Sequence, residues 1–305
     1  MQGLTELLFR RVYEECFPGA ISLAVAPFIS LTHNLQFAKG RSMETMLADV
    51  LPESNKGSIP VVPQILGKEP EEFVEMGNML YEMGYMEVNW NIGCPMRNIT
   101  GKHRGSGILP YPDEVRAVLN AVVPRLKSRL SIKMRIGLRN KEEIFALVPI
   151  LNDYPLASVT IHPRTGRQQY TGVPDLETFG HVLPMIKHPV IYNGDICTPH
   201  DIRRIEERFP SIADIMVGRG ILYRPTLPLE IAGATDSQQL TVHFIQRLKE
   251  EIKTILPTEQ SKIRKTKEYW SLLWKALPIS EMQAREVLRA QEFTVVDNLI
   301  DQLTQ

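Results

Sequence analysis

Seven short apolar runs, each separated from the next by a longer stretch, constrain this chain more than any other feature. The runs are Ile21–Val25, Val61–Leu66, Met86–Trp90, Leu130–Ile136, Ala157–Ile161, Pro189–Tyr192 and Ala213–Val217. They are rich in β-branched residues, which favour pleated strands, and their apolar character suits strands covered on both faces. Between them lie segments of helical pattern, among them Glu71–Met83, Pro112–Leu126, Lys141–Leu151 and Pro199–Arg208. Thr198 is placed to cap the last of these, with proline at its first helical position. Repeated strand–helix units build a parallel sheet with helices outside it, and enough of them close into a (β/α)8 TIM barrel. Closure takes eight strands and seven are found here. The expected fold is therefore α/β: a TIM barrel lacking its first strand at the N-terminus, followed by a small C-terminal helical domain.

The pattern changes after Pro225. From about Thr241 to Gln305 it reads as helix only, with Val242, Ile245, Leu248, Ile252 and Ile255 at helical spacing and Pro257 and Pro278 as breaks. This divides the chain into a barrel unit, residues 1–232, and a helical unit, residues 233–305. At 305 residues and 43% hydrophobic, the chain is long and apolar enough to bury a substantial core. Lysine and arginine balance aspartate and glutamate, 35 against 35, so any nucleic-acid surface must come from local clustering. Cys16, Cys94 and Cys197 have neither disulfide nor metal-ligand spacing, so no metal is expected. No apolar run approaches the ~20 residues that span a bilayer, and no signal-peptide layout opens the chain. A monomer in a reducing cytoplasm is the plain reading.

The segment Val88-Asn89-Trp90-Asn91-Ile92-Gly93-Cys94-Pro95 carries the clearest chemistry. It sets one cysteine on a short loop after a strand, between a glycine that permits a tight turn and a proline that fixes the backbone. Barrel enzymes place proton donors and nucleophiles at such strand ends. Alone, the same cysteine would serve equally as inert loop packing.

Its surroundings decide between the two. Asn91 to Pro95, followed by Ile99 and Gly105-Ser106-Gly107, resembles the motif of the dihydrouridine synthases, flavoenzymes that reduce uridine in RNA. Further segments resemble that family in order: Ser131 to Gly137, Ile161 to Thr165 running on to Tyr170-Thr171-Gly172, Tyr192 to Ile196, and Met216 to Gly220. The resemblance runs from residue 1 to about residue 230. In that family a first strand precedes the segment that here opens Met1-Gln2-Gly3, so the missing strand is expected upstream of a late methionine. The alternative is that another segment fills the gap. One departure is Trp90, where the family usually has an aliphatic residue; strand alternation turns it away from Asn89 and Asn91.

The resemblance implies FMN as cofactor, NADPH as outside reductant and tRNA as substrate, with ribosomal RNA left open. Reducing uracil takes a hydride and a proton, and no side chain supplies hydride. Lys133, on a strand whose neighbours Ile132, Met134 and Ile136 are apolar, is suited to stabilise negative charge on a reduced flavin. The loops after the last two strands carry Asn193-Gly194-Asp195 and Gly218-Arg219-Gly220, where glycine backbone and an arginine suit a phosphate. By resemblance Gln64 and His162 also touch the flavin, Met1 contributes at the chain's start, and Arg164 positions substrate or flavin phosphate. Cys94 is the implied general acid, protonating C5 as hydride reaches C6, and Asn91 is the implied hydrogen-bond partner of the uracil. The loop Thr100 to Leu109 reads either as a lid or as a surface loop. Arg167 reads as a surface charge, and Cys16 and Cys197 as structural.

For RNA contact the tail offers Lys262, Arg264, Lys265 and Lys267, followed by Tyr269 and Trp270. Cations beside aromatics suit phosphates and bases, yet a solvated helix face over a buried stripe fits as well. Two competing functions stay open on these residues: a flavin-barrel reductase of a small molecule, and an RNA-binding homologue that has lost catalysis.

Overall fold

A computed structural model describes residues 3–31, 43–235 and 237–304. Met1 and its implied flavin contact lie outside the described residues. Seven strands form one sheet: β1 (Ala24–Ser30), β2 (Val61–Leu66), β3 (Glu87–Ile92), β4 (Arg129–Gly137), β5 (Leu156–Thr165), β6 (Val190–Tyr192) and β7 (Asp214–Ile215). Every neighbouring pair is parallel and the spatial order follows the chain, β1 through β7. This is the winding of a TIM barrel, and among the described residues β1 and β7 are left as unpaired edges.

Two strands run through a proline and past their expected bounds. β1 was expected over Ile21–Val25 and lies instead at Ala24–Ser30, running through Pro27. Proline lacks the N–H a central strand needs, but β1 pairs only with β2, and its register shifts between Val25 and Phe28 around that residue. β5 was expected to stop at Ile161, before Pro163, and continues to Thr165. That extension carries His162 and Arg164 on a buried strand rather than a free loop. β7 is shorter than expected.

The helices follow their local signals. Pro70–Glu82 starts on proline, has Glu71 and Glu72 at its positive end, and buries Phe73, Met76 and Leu80 against the sheet. Pro199–Arg208 is capped by Thr198 and Asp201, each side chain bonding the other's backbone N–H. A first core joins the sheet to these helices. A second gathers the tail helices Ser237–Ile255, Glu259–Leu273, Glu281–Arg289 and Phe293–Leu303 around Phe244, Trp270 and Val296. The N-terminal helix Leu7–Cys16 belongs to that second core: Phe9 and Tyr13 meet the Phe244 ring edge-on, and the Tyr13 hydroxyl donates to the Pro225 carbonyl at 2.8 Å. No helix among the described residues is long and apolar enough to cross a membrane.

Candidate active site

Strand alternation sends Asn89 and Asn91 to one face of β3 and Trp90 to the other. Trp90 is 1% exposed, packs edge-on against Phe73, and donates its indole N–H to the Gly67 carbonyl at 2.8 Å, so it wedges the sheet against the helix layer. On the inner face the amides link up across three strands. Asn91 Nδ2 donates to Gln64 Oε1 at 2.7 Å, Gln64 Nε2 to Asn89 Oδ1 at 2.8 Å, and Asn89 Nδ2 to Ser131 Oγ at 3.0 Å. Asn91 Oδ1 accepts from the Gly93 and Cys94 N–H groups, both at 3.0 Å. Each amide's orientation is thereby settled by its neighbour, and the second N–H of Asn91 has no acceptor among the described residues.

Cys94 stands at the end of this ladder, half-buried. Burial pushes its thiol above the ordinary value, against the opposing pull of the Met96 N–H and the Arg135 and Lys133 cations. It is therefore a neutral S–H at physiological pH, the form a proton donor needs. The loop behind it is packed at one end and open at the other: Gly105 to Ile108 are buried, Arg104 donates to the Leu31 carbonyl, and His103 stacks on Tyr111 while pairing with Glu114 at 2.9 Å, whereas Gly101 and Lys102 are exposed.

Cations gather opposite. Lys133 donates to Asn193 Oδ1 at 2.7 Å, and Asn193 Nδ2 to the Met216 carbonyl at 2.8 Å. Burial, then the Arg135 charge, lower the Lys133 pKa to about 8. Arg135 follows at period two on the same face of β4 and is 2% exposed. It donates to the carbonyls of Gly93 (3.0 Å), Thr165 (2.9 Å) and Gln169 (2.6 Å), and burial lowers its pKa to about 10. It was not singled out from the sequence, though a second cation two residues along a buried strand was the available signal.

His162 accepts at Nε2 from Arg164 at 3.2 Å, which assigns its proton to Nδ1. Burial, with Lys133, Arg135, Arg164 and Arg219 around it, holds it neutral far below its ordinary range. Arg164 is 1% exposed and its terminal nitrogens are taken up by its surroundings: both pair with Asp195, and one also donates to the Gly172 carbonyl at 2.6 Å. Asp195 also accepts from Arg219 at 3.1 Å; burial raises its pKa, but the two guanidiniums outweigh that and hold it ionised. Arg219 lies 4.5 Å from the centre of the Tyr170 ring, another residue whose place in the site the sequence did not reveal. Arg167 is exposed, and Cys16 and Cys197 are half-buried.

A cavity of about 1810 Å³ connects these groups. Gln64, Asn91, Cys94, Lys133, His162, Asn193, Gly194, Asp195, Gly218 and Arg219 all line it, and Arg164 stands behind its wall. It extends along both unpaired strands, β1 and β7. The basic run of the tail behaves differently. Lys265 is held by the Gly3 carbonyl, Glu6 and Glu268, each at 2.9 Å, and Lys267 donates to the Ala290 carbonyl. Lys262 sits over the Phe293 ring, and Tyr269 and Trp270 are buried in the second core. Of the four cations, only Arg264 is both exposed and without a described partner.

The chain resembles known proteins along most of its length. It is 32% identical over 244 residues to tRNA-dihydrouridine synthase B of Escherichia coli K12, covering 79% of this chain and 72% of that protein. To the tRNA-dihydrouridine(16) synthase of Pseudomonas putida it is 28% identical over 245 residues, 78% and 73% of the two chains. Among solved structures, morphinone reductase aligns with a TM-score of 0.50 at 13% identity, over 77% of this chain and 83% of that one, a likeness of fold alone. The family model for dihydrouridine synthase (Dus) matches residues 1–299, and on that match the chain belongs to the dihydrouridine synthase family.

Proposed function

We propose that the protein reduces uridine in tRNA to 5,6-dihydrouridine, using FMN as cofactor and NADPH as reductant. The observation that carries this is a neutral, half-buried thiol at the end of β3, sharing one large cavity with a lysine that has no carboxylate partner among the described residues. The donor set fits a flavin: an uncompensated ammonium for its electron-rich edge, an arginine and two glycine-containing loops for its phosphate. Only glycine fits at Gly220, where a Cβ would run into the Ile196 carbonyl. FMN, when bound, supplies the hydride that uracil C6 accepts, and NADPH restores it.

The chain's own residues do the rest. Lys133, through its bond to Asn193, and Arg219, steadied by Asp195, would hold the cofactor, with Gln64, His162, Gly194 and Gly218 lining the same wall. Asn91 keeps one N–H for a uracil carbonyl while its oxygen holds the Cys94 loop. Cys94 Sγ gives its proton to C5, and the thiolate is reprotonated from solvent. Arg164 acts from behind, orienting His162 and Asp195. On this reading residues 1–232 are the FMN-binding catalytic unit and residues 233–305 an RNA-binding unit, with the helix Leu7–Cys16 docked on the latter.

The test is the visible spectrum of the purified protein with added FMN, followed by assay of Cys94→Ala on tRNA. Flavin bands that bleach with NADPH are expected in both proteins, with dihydrouridine formed only by the wild type. A protein that takes up no FMN, or a Cys94→Ala variant of full activity, refutes the proposal. Equal turnover of free uridine would favour a small-molecule reductase, a reading that gains from the engagement of most of the tail's basic run.

A further inference from the structure

Four hydrogen bonds already described or implied by the site fasten the Gly93–Cys94 backbone: two N–H groups on Asn91 Oδ1, the Gly93 carbonyl on Arg135 Nε, and the Cys94 carbonyl on the Ser106 N–H at 3.0 Å. With these every polar backbone group of the two residues has a partner, which is all that burial demands. A fifth bond is added nonetheless: Ser106 Oγ donates to the same Cys94 carbonyl at 3.1 Å. A carbonyl has two lone pairs, and filling the second fixes the rotation of the peptide plane, not merely its solvation.

The surroundings are shaped to this contact. Ser106 is 0% exposed. Gly105 has φ of 54°, in the left-handed region, and a Cβ there would lie 2.6 Å from the Cys94 oxygen. Gly166, on the loop after β5, presses on Ser106 from the other side: a Cβ at that position would collide with Oγ and lie 3.1 Å from the Ser106 Cβ. The hydroxyl is confined between two glycines that permit the close approach.

We propose that Ser106 is a positioning residue that sets where the Cys94 thiol stands in the cavity, tying it to the β5 loop beside His162 and Arg164. Its catalytic consequence rests on the reading of Cys94 as proton donor. The thiol reaches its half-buried site only because its backbone is held down, so loosening the carbonyl lets it move toward solvent.

Ser106→Ala tests this with two readouts on the full-length protein. In tRNA reduction, kcat falls about tenfold with little change in KM, because misplacing a reacting group penalises the transition state more than binding. In alkylation by iodoacetamide, followed for the Cys94 peptide by mass spectrometry, the reaction quickens and its pH midpoint moves down toward that of an ordinary thiol. A thiol that is more reactive but less productive is the signature of lost positioning. An unchanged alkylation profile overturns the proposal, whether or not turnover or melting temperature falls, since that would make Ser106 merely structural. If the wild type does not reduce tRNA, the Cys94 reading fails by itself, while alkylation still decides whether Ser106 governs the thiol. Should Ser106→Ala not fold, Ser106→Cys, of similar size and a weaker donor, carries the same measurement.

Discussion

Lys133→Met removes a cation that the folded chain shelters at a cost, and it should stabilise the protein while disabling its site. Burial lowers the Lys133 pKa from 10.5 to about 8. At about 1.4 kcal/mol per unit that is roughly 3 kcal/mol of penalty on the charged form. The residue is only half-buried, and solvent screening reduces this to about 2 kcal/mol. Methionine would leave Asn193 Oδ1 without its donor, at a cost of about 1 kcal/mol, so the net gain at pH 7 is about 1 kcal/mol. For a chain of 305 residues that raises the melting temperature by about 2 °C.

The sign depends on pH. Below pH 8 the ammonium is charged in both the folded and the unfolded chain, and the full penalty is present. Between pH 8 and 10.5 the folded chain gives up a proton that the unfolded chain keeps, so wild-type stability climbs relative to the variant. Above that range both are neutral and only the loss at Asn193 remains. Melting temperatures of the two flavin-free proteins from pH 7 to 10 should start with the variant ahead by about 2 °C, converge, and then cross. A difference independent of pH, or a variant less stable already at pH 7, would refute the assignment of a half-buried cation with no carboxylate partner among the described residues. The same variant should retain less FMN.

Two further outcomes follow from the geometry. Lys265→Ala should lower the melting temperature by a few degrees, because it strips Glu6, Glu268 and the Gly3 carbonyl of their shared cation. It should leave the salt dependence of tRNA binding unchanged, whereas Arg264→Ala should flatten that slope by about one phosphate contact; the reverse pattern would restore the lysine to an RNA surface. Trp90→Phe should destabilise by about 1–3 kcal/mol through the orphaned Gly67 carbonyl, with FMN content unchanged by visible absorbance. Lost flavin in that variant would show that Trp90 acts on the site and not only on the layer behind it.

Much of the architecture was legible without coordinates because its signals are local. Period and composition separate strand from helix residue by residue, and Thr198-Pro199 announces its own helix start. Alternation along β3 was enough to send Trp90 outward and the two asparagines inward. Strand-end loops of a parallel barrel share one rim, so Cys94, Lys133, His162 and Arg219 were legible as neighbours before their cavity was seen. The bounds of β1 and β5 were less legible, because whether a strand runs on through a proline such as Pro27 or Pro163 depends on how its neighbours in the sheet pair with it.

Charge was the property the sequence could not settle. A lysine reads the same in a list of residues whether it faces solvent, a carboxylate or a cofactor, and its partner is set by chain segments far away. Lys265 meets Glu6 from across 259 residues, and Arg164 meets Asp195 from the end of a different strand, so both are already engaged within the protein. Among the described residues Lys133 meets an amide and no carboxylate, beside a second cation, and therefore stands ready for an anion. The residue types and their order determined which chemistry this chain can carry. Which cations are left uncompensated, and how firmly the Cys94 thiol is held, were decided by tertiary packing, because electrostatic and hydrogen-bond partners are neighbours in space rather than in sequence.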